Sequence, residues 1–232
     1  MTQQRIVITG AGSGLGRSLA KKLLIQGHHA FLLGRSNEKL TRVREEVPGR
    51  ADVYALDISN KAEVMNVFQN IETEHGPIHM LINNAGTGAF HLVEDLSETQ
   101  IDAMMDVNLK GTIYCTQQVI PSMKQENHGL IINIVSTAGK VGKVTESVYC
   151  ASKFGVRGFT ESLVAELANT NIKVIGVYMG GMKTDFWTGV FDQERLKKMM
   201  DPDDVADIII ENVKFRPNIN VEEIVIKNKK GI

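Results

Sequence analysis

The chain has 232 residues and a formal net charge of −1, from 26 basic and 27 acidic side chains. That balance provides no field for nucleic acid or an anionic membrane surface, and no apolar run reaches the roughly 18 residues needed to span a bilayer. Cys115 and Cys150 form neither a CxxC motif nor a metal-ligand cluster, so a reduced cytosolic protein is expected.

Met1–Arg5 runs straight into an apolar segment, with no signal-peptide pattern. From there, short β-branched runs alternate with longer amphipathic segments, as in βαβ units around a parallel sheet. Arg5–Thr9 reads as a strand and Gly14–Gln26 as a helix closed by Gly27. Ala30–Gly34, Asp52–Leu56 and His79–Asn83 follow as strands, separated by helices over Asn37–Val47 and Lys61–His75. Ser97 is an N-cap candidate for a helical stretch running through Asn108 towards Met123. Leu130–Ser136 is a nearly continuous apolar strand, and Ser147–Leu167 a long helix. Ile172–Tyr178, Asp203–Lys214 and Val221–Ile226 complete the series as strand, helix and strand. No linker or repeat interrupts it, so residues 1–232 are expected to form one doubly wound α/β domain, a Rossmann fold on a seven-stranded parallel sheet with helices on both faces. Residues 179–200 lack periodicity and leave the carboxyl end of a strand, where ligands bind in open α/β sheets. That segment is expected to be a substrate lid.

Between the first strand and first helix lies Thr9-Gly10-Ala11-Gly12-Ser13-Gly14-Leu15-Gly16. Glycines let the backbone turn sharply and a pyrophosphate approach, while the helix N-terminus offers unpaired N–H groups to the anion. At the end of the second strand, Gly34-Arg35-Ser36-Asn37 stands where an acidic residue would hold a ribose 2′-hydroxyl. Arg35 offers a charge-assisted grip on a 2′-phosphate instead, favouring NADP(H) over NAD(H). Glu38, one turn into the helix, complicates that choice.

Tyr149 and Lys153 lie four residues apart on one predicted helix, so phenol and ammonium share a face. A nearby cation favours phenolate; lowering a phenol from about 10 towards neutrality corresponds to roughly 3–4 kcal/mol and would give a general acid/base. Cys115 and Cys150 are expected to be small buried side chains, though Cys150 directly follows Tyr149 and is a candidate for oxidation sensitivity.

With these residues in place, the chain resembles the short-chain dehydrogenase/reductase family over nearly its whole length. The glycine turn, Asp57 in Leu56-Asp57-Ile58, Asn83-Asn84-Ala85-Gly86, Asn108, Ser136 and the Tyr149/Lys153 pair occur in the family's order. The resemblance implies a catalytic set of Asn108, Ser136, Tyr149 and Lys153. Ser136 would orient a carbonyl oxygen, Tyr149 supply the proton, and Lys153 tune Tyr149 and bind the nicotinamide ribose. Asn108 would hold a relay water. It also implies cofactor contacts from Gly10, Gly12, Ser13, Gly14, Leu15, Gly16, Asp57, Ile58, Asn84, Ala85, Gly86, Gly180 and Thr184. The family's usual proline after the sixth strand is replaced by Met179, ahead of Gly180-Gly181-Met182-Lys183-Thr184, and a looser pocket floor is expected.

Substrate contacts are expected among Ser136, Ala138, Val144, Tyr149, Met179 and Trp187, with Val141, Met182, Phe186 and Phe191 as further candidates. This apolar set suits a hydrophobic ketone, aldehyde or dicarbonyl. The resemblance implies a homotetramer or homodimer. The six histidines (His28, His29, His75, His79, His91 and His128) show no metal-ligand spacing, and no metal site is expected. Two other readings remain open: a 3-oxoacyl-carrier-protein-type reductase, and a non-catalytic NADP(H)-sensing scaffold. The short tail, Ile226 to Ile232, leaves the oligomer's size undetermined.

Overall fold

A computed structural model describes residues 3–214, 216 and 219–229. The expected start at Met1-Thr2 and the tail end Lys230–Ile232 lie outside the described residues. Seven strands form one parallel sheet in the order β3-β2-β1-β4-β5-β6-β7. They are β1 (Arg5–Thr9), β2 (His29–Gly34), β3 (Arg50–Ala55), β4 (Met80–Asn83), β5 (Gly129–Ile134), β6 (Ile172–Met179) and β7 (Glu223–Ile226). The helices are α1 (Gly14–Ile25), α2 (Asn37–Glu46), α3 (Lys61–His75), α4 (Glu98–Met104), α5 (Thr112–Glu126), α6 (Ser147–Glu166), α7 (Gln193–Lys197) and α8 (Pro202–Asn212). Among the described residues, no helix is long and apolar enough to cross a membrane.

Strand side chains alternate between two buried layers, which is why these strands read as unbroken apolar runs. Ile8, Leu32, Ile132 and Val177 pack with Leu19 of α1 and Ile209 of α8 on one face. Val7, Phe31, Ile131 and Val174 pack with Phe68 of α3, Val119 of α5 and Leu163 of α6 on the other. Burying a side chain of this size contributes roughly 1.5–3 kcal/mol, so the two layers hold the sheet rigid beneath the loops. Strand order reverses between β1 and β4, opening a crevice at their carboxyl ends.

The structure departs from the expected elements in three places that matter for the crevice. The helical stretch after Ser97 is not uniform: α4 passes through a wide π-helical turn, Met105–Gly111, before α5 begins. A Cβ on Gly111 would stand 2.6 Å from Ile58 Cδ1, so this turn packs close against the loop after β3. The expected strand to Ser136 ends at Ile134, because Val135 and Ser136 both donate to the single carbonyl of Val177, at 2.8 and 3.3 Å. Finally, residues 179–200 are not structureless. They hold a short 3₁₀ turn at Asp185–Trp187, α7, and a bridge between Met182 and Met200.

Candidate active site

A cavity of about 740 Å³ opens where the strand order reverses, lined at one end by the glycine turn and at the other by Tyr149 and Trp187. Its geometry begins with the turn. Gly10 has φ +65°, and a Cβ there would stand 2.9 Å from Ala85 Cα. A Cβ on Gly16 would overlap the Gly10 carbonyl, so α1 starts flush against the turn. Asn84 stitches the turn to β4: its Nδ2 donates to the carbonyls of Thr9 and Gly10 at 2.9 and 3.2 Å. Ser13, the N-cap of α1, makes no side-chain capping bond, leaving the helix's first N–H groups directed at the cavity.

The adenosine end is cationic. Arg35 and Lys39 both line it, and Glu38 does not: its carboxylate bonds Arg42 at 3.0 Å and its side chain is 82% exposed. Lys39 was not singled out in the sequence, although its place one turn after the N-cap Ser36 could have shown it. Asp57 Oδ1 accepts from the backbone and hydroxyl of Ser59 at 2.9 and 2.7 Å, fixing the carboxylate at the wall that Ile58 also lines. This stereochemistry fits a dinucleotide: a turn with glycine at four positions of close approach, an uncapped helix N-terminus, and two cations at the far end.

At the other end Ser136, Tyr149 and Lys153 line the cavity, with Asn108, the fourth residue implied by the resemblance, behind them. Ser136 has φ 94° and ψ 152°, a region costly for any side chain but glycine, so its backbone is strained at the site. Its hydroxyl accepts from Ala138 N at 3.2 Å and acts on the Tyr149 phenol as a hydrogen-bonding neighbour. Tyr149 is 7% exposed, and burial drives its pKa well above the usual tyrosine value, against the smaller lowering effect of the Ser136 bond. This corrects the expectation of a lowered pKa. The Lys153 ammonium donates to Ile134 O at 3.0 Å and sits 5.9 Å from the centre of the Tyr149 ring. Burial brings Lys153 itself down to about 8.

Asn108 lies in the π turn, fully buried and outside the cavity lining. Its Nδ2 donates to Thr87 O and Ser152 Oγ, both at 2.9 Å, and its Oδ1 accepts from Thr87 N at 2.8 Å. It therefore ties the loop after β4 to α6. Gly86 brings the parts together: a Cβ there would stand 3.2 Å from Asn108 Oδ1 and 3.6 Å from Lys153 Nζ.

The substrate end is aromatic. Phe90 stacks on Trp187 at 4.9 Å, Trp187 on Phe191 at 4.8 Å, and Phe90 meets Tyr149 edge-on at 5.6 Å. Phe90 gave no sequence signal, since nothing in its spacing places it opposite residue 187. Met179, Met182, Phe186, Trp187, Gly180 and Thr184 line the cavity, as do Gly10, Gly12, Ser13, Gly14, Leu15, Arg35, Ala85 and Lys153. Ala138 is buried within the apolar cluster behind Tyr149. Val144 and Val141 are 82% and 63% exposed and stand off the lining, as does Phe191. Lys143 and Glu146 line the cavity instead, 3.5 Å apart.

This combination of sheet, glycine turn and Ser–Tyr–Lys geometry defines a class of nicotinamide-dependent oxidoreductases. Residues 4–195 match the short chain dehydrogenase family model, and the chain belongs to that family. It is 32% identical over 221 residues to an uncharacterized oxidoreductase of Staphylococcus epidermidis, covering 95% of each chain. It is likewise 32% identical over 228 residues to one from Staphylococcus aureus, covering 98% of each. Among solved structures, a metagenomic short-chain oxidoreductase in complex with NADP superposes with a TM-score of 0.86 at 29% identity, covering 98% of both chains. The closed form of serine dehydrogenase complexed with NADP+ superposes with a TM-score of 0.88 at 29% identity, covering 96% of this chain and 94% of that one.

Proposed function

We propose that this oxidoreductase reduces a small, largely apolar carbonyl compound with NADPH, or oxidises the corresponding alcohol with NADP+. The carrying observation is a buried Tyr149 with Ser136 and Lys153 on the same wall of a cavity whose other end is the glycine turn with Arg35 and Lys39. When bound, the nicotinamide supplies or accepts the hydride. The chain's own residues do the rest. Ser136 orients the substrate oxygen; Tyr149 donates its phenolic proton as negative charge develops there. Lys153 sets a positive charge beside the resulting phenolate, and Asn108 positions the loop bearing Gly86. The aromatic wall of Phe90, Phe186 and Trp187 receives the substrate's apolar part, and residues 179–200 act as the lid that excludes water.

The cation pair at the adenosine end supports NADP(H), as do the NADP complexes among the structural neighbours. Phe154 on α6 and Val225 on the edge strand β7 expose large apolar side chains at 42% and 48%. That exposure supports a homodimer or homotetramer, and the free thiols of Cys115 and Cys150 fit a reducing compartment, the cytoplasm.

The test is oxidation of NADPH and NADH with aldehydes, ketones, α-dicarbonyls and acetoacetyl thioesters. Turnover with apolar carbonyls and a preference for NADPH support the reading. Preference for acetoacetyl thioesters would favour a carrier-type reductase. Tight NADPH binding without any turnover would favour the sensing scaffold.

A further inference from the structure

Three side chains that the proposed reaction does not use converge at the amino-terminal end of the sheet. His29 opens β2, Asp52 lies on the neighbouring strand β3, and His75 ends α3. Nε2 of His29 is 2.6 Å from Asp52 Oδ2, and Nε2 of His75 is 3.8 Å from the same oxygen. All three ligand-type atoms lie within 4.8 Å of one another. Donors about 2.0–2.2 Å from one ion stand roughly 3–4 Å apart, so a small opening of the His29–Asp52 contact and a turn of His75 would bring all three around one centre.

We propose that His29, Asp52 and His75 form a binding site for a divalent first-row transition ion, zinc being the reference, with water completing the shell. Two imidazoles and a carboxylate are a borderline nitrogen–oxygen set, suited to zinc, cobalt or nickel rather than to calcium or magnesium. The site is preorganised by rigid elements. The His29 ring, 2% exposed, packs on Phe31 at 4.3 Å and edge-on to His75 at 5.1 Å. Asp52, with a side chain 43% exposed, leaves a path from solvent. Glu74 Oε2, 3.6 Å from His75 Nε2, is near enough to supply a further oxygen. Arg50, paired with His29 across β2 and β3, is the opposing charge beside the site.

The arrangement is remote from the chemistry. β2 runs from His29 to Gly34, which lines the cofactor cavity, a separation of about 17 Å by strand rise. The ion would therefore brace β2, β3 and α3 rather than take part in hydride transfer. Sequence spacing hid the site because its ligands come from three separate elements, His29 and Asp52 being 23 residues apart.

The test uses the full chain after chelation and buffer exchange. Zn²⁺ is titrated by calorimetry, Co²⁺ is followed by its visible d–d absorption, and melting is recorded with and without Zn²⁺. One saturable site is expected, with d–d bands typical of nitrogen–oxygen ligands and a raised melting midpoint. Asp52→Asn and His75→Ala should each weaken binding by at least roughly 10–100-fold and abolish the thermal shift. His75→Ala leaves the His29–Asp52 hydrogen bond intact, so its effect does not depend on the fold tolerating loss of that bond. Absence of saturable binding at millimolar ion, or binding unchanged in both variants, would overturn the proposal.

Discussion

The Lys153 ammonium donates to the carbonyl of Ile134, the last residue of β5, at 3.0 Å, and so ties α6 to the end of the sheet. The bond holds a lysine that is 5% exposed beside a tyrosine that is 7% exposed. Burial opposes charge on both groups: it raises Tyr149 and lowers Lys153 to about 8.

A pH dependence follows. Tyr149 stays protonated through the neutral range, ready to donate, while Lys153 loses its charge as pH rises through about 8. Carbonyl reduction is predicted to be nearly flat below that value and to fall above it, because the phenolate formed on donation then lacks its neighbouring cation. Alcohol oxidation, which needs phenolate beside a charged Lys153, should rise with pH up to about 8 and level off above it. Initial rates in both directions across the pH series check this; reduction that accelerates above pH 8 would contradict it.

Arg35→Glu should reverse the charge that favours a 2′-phosphate. The expected loss is at least about 10-fold in kcat/KM with NADPH, equivalent to about 1.4 kcal/mol, with NADH much less affected. Glu38→Gln should change little, since the Glu38 carboxylate is turned to Arg42. Paired kinetics with the two cofactors measure both.

Asn108→Ala leaves the N–H and carbonyl of the half-buried Thr87, and the fully buried Ser152 hydroxyl, without their Asn108 partner. An unpaired buried group of this kind costs about 1–3 kcal/mol. A fall of that size in unfolding free energy is expected in urea titrations, with turnover reduced because the loop bearing Gly86 loosens. Ser152→Ala should be milder, since Asn108 keeps Thr87.

Two glycine substitutions separate contact from conformation. Gly16→Ala would drive a methyl into the Gly10 carbonyl and to 2.5 Å from Asn84 Nδ2, so both melting temperature and NADPH affinity should drop. Gly27→Ala meets nothing within 4 Å but sits at φ +85°. It should cost about 1 kcal/mol from backbone strain and leave NADPH affinity unchanged. Calorimetric binding and thermal melts distinguish the two.

Most of the fold was legible because the signals are local. Apolar runs flanked by amphipathic segments mark a parallel sheet, and the glycines after β1 mark a tight turn that leaves no room for a Cβ at Gly10 or Gly16. Arg35, Tyr149 and Lys153 could be singled out because each lies at a fixed offset from a strand or along one helix, and Ser136 through the family resemblance. Other features depend on distant chain segments meeting in space. The π turn at Asn108 reflects packing of Gly111 on Ile58, and the Phe90–Trp187 stack joins two loops. Val144 illustrates the converse: apolar and close to Tyr149 in sequence, it stands 82% exposed because Thr145 at φ 63° redirects the chain before α6. The sign of the Tyr149 shift was missed for a related reason. Helical spacing shows that a cation is near, but not that both side chains are buried.

Tyr149→Phe tests the central claim most directly, since it removes one hydroxyl and keeps the ring that packs on Phe90 and Phe186. NADPH binding, followed by fluorescence or calorimetry, should persist near the wild-type affinity while carbonyl turnover falls by roughly 10²–10⁴-fold, the range for losing a positioned general acid. Turnover that survives the substitution at wild-type rate, with the variant folded and binding NADPH, would contradict the account of Tyr149 as the proton donor.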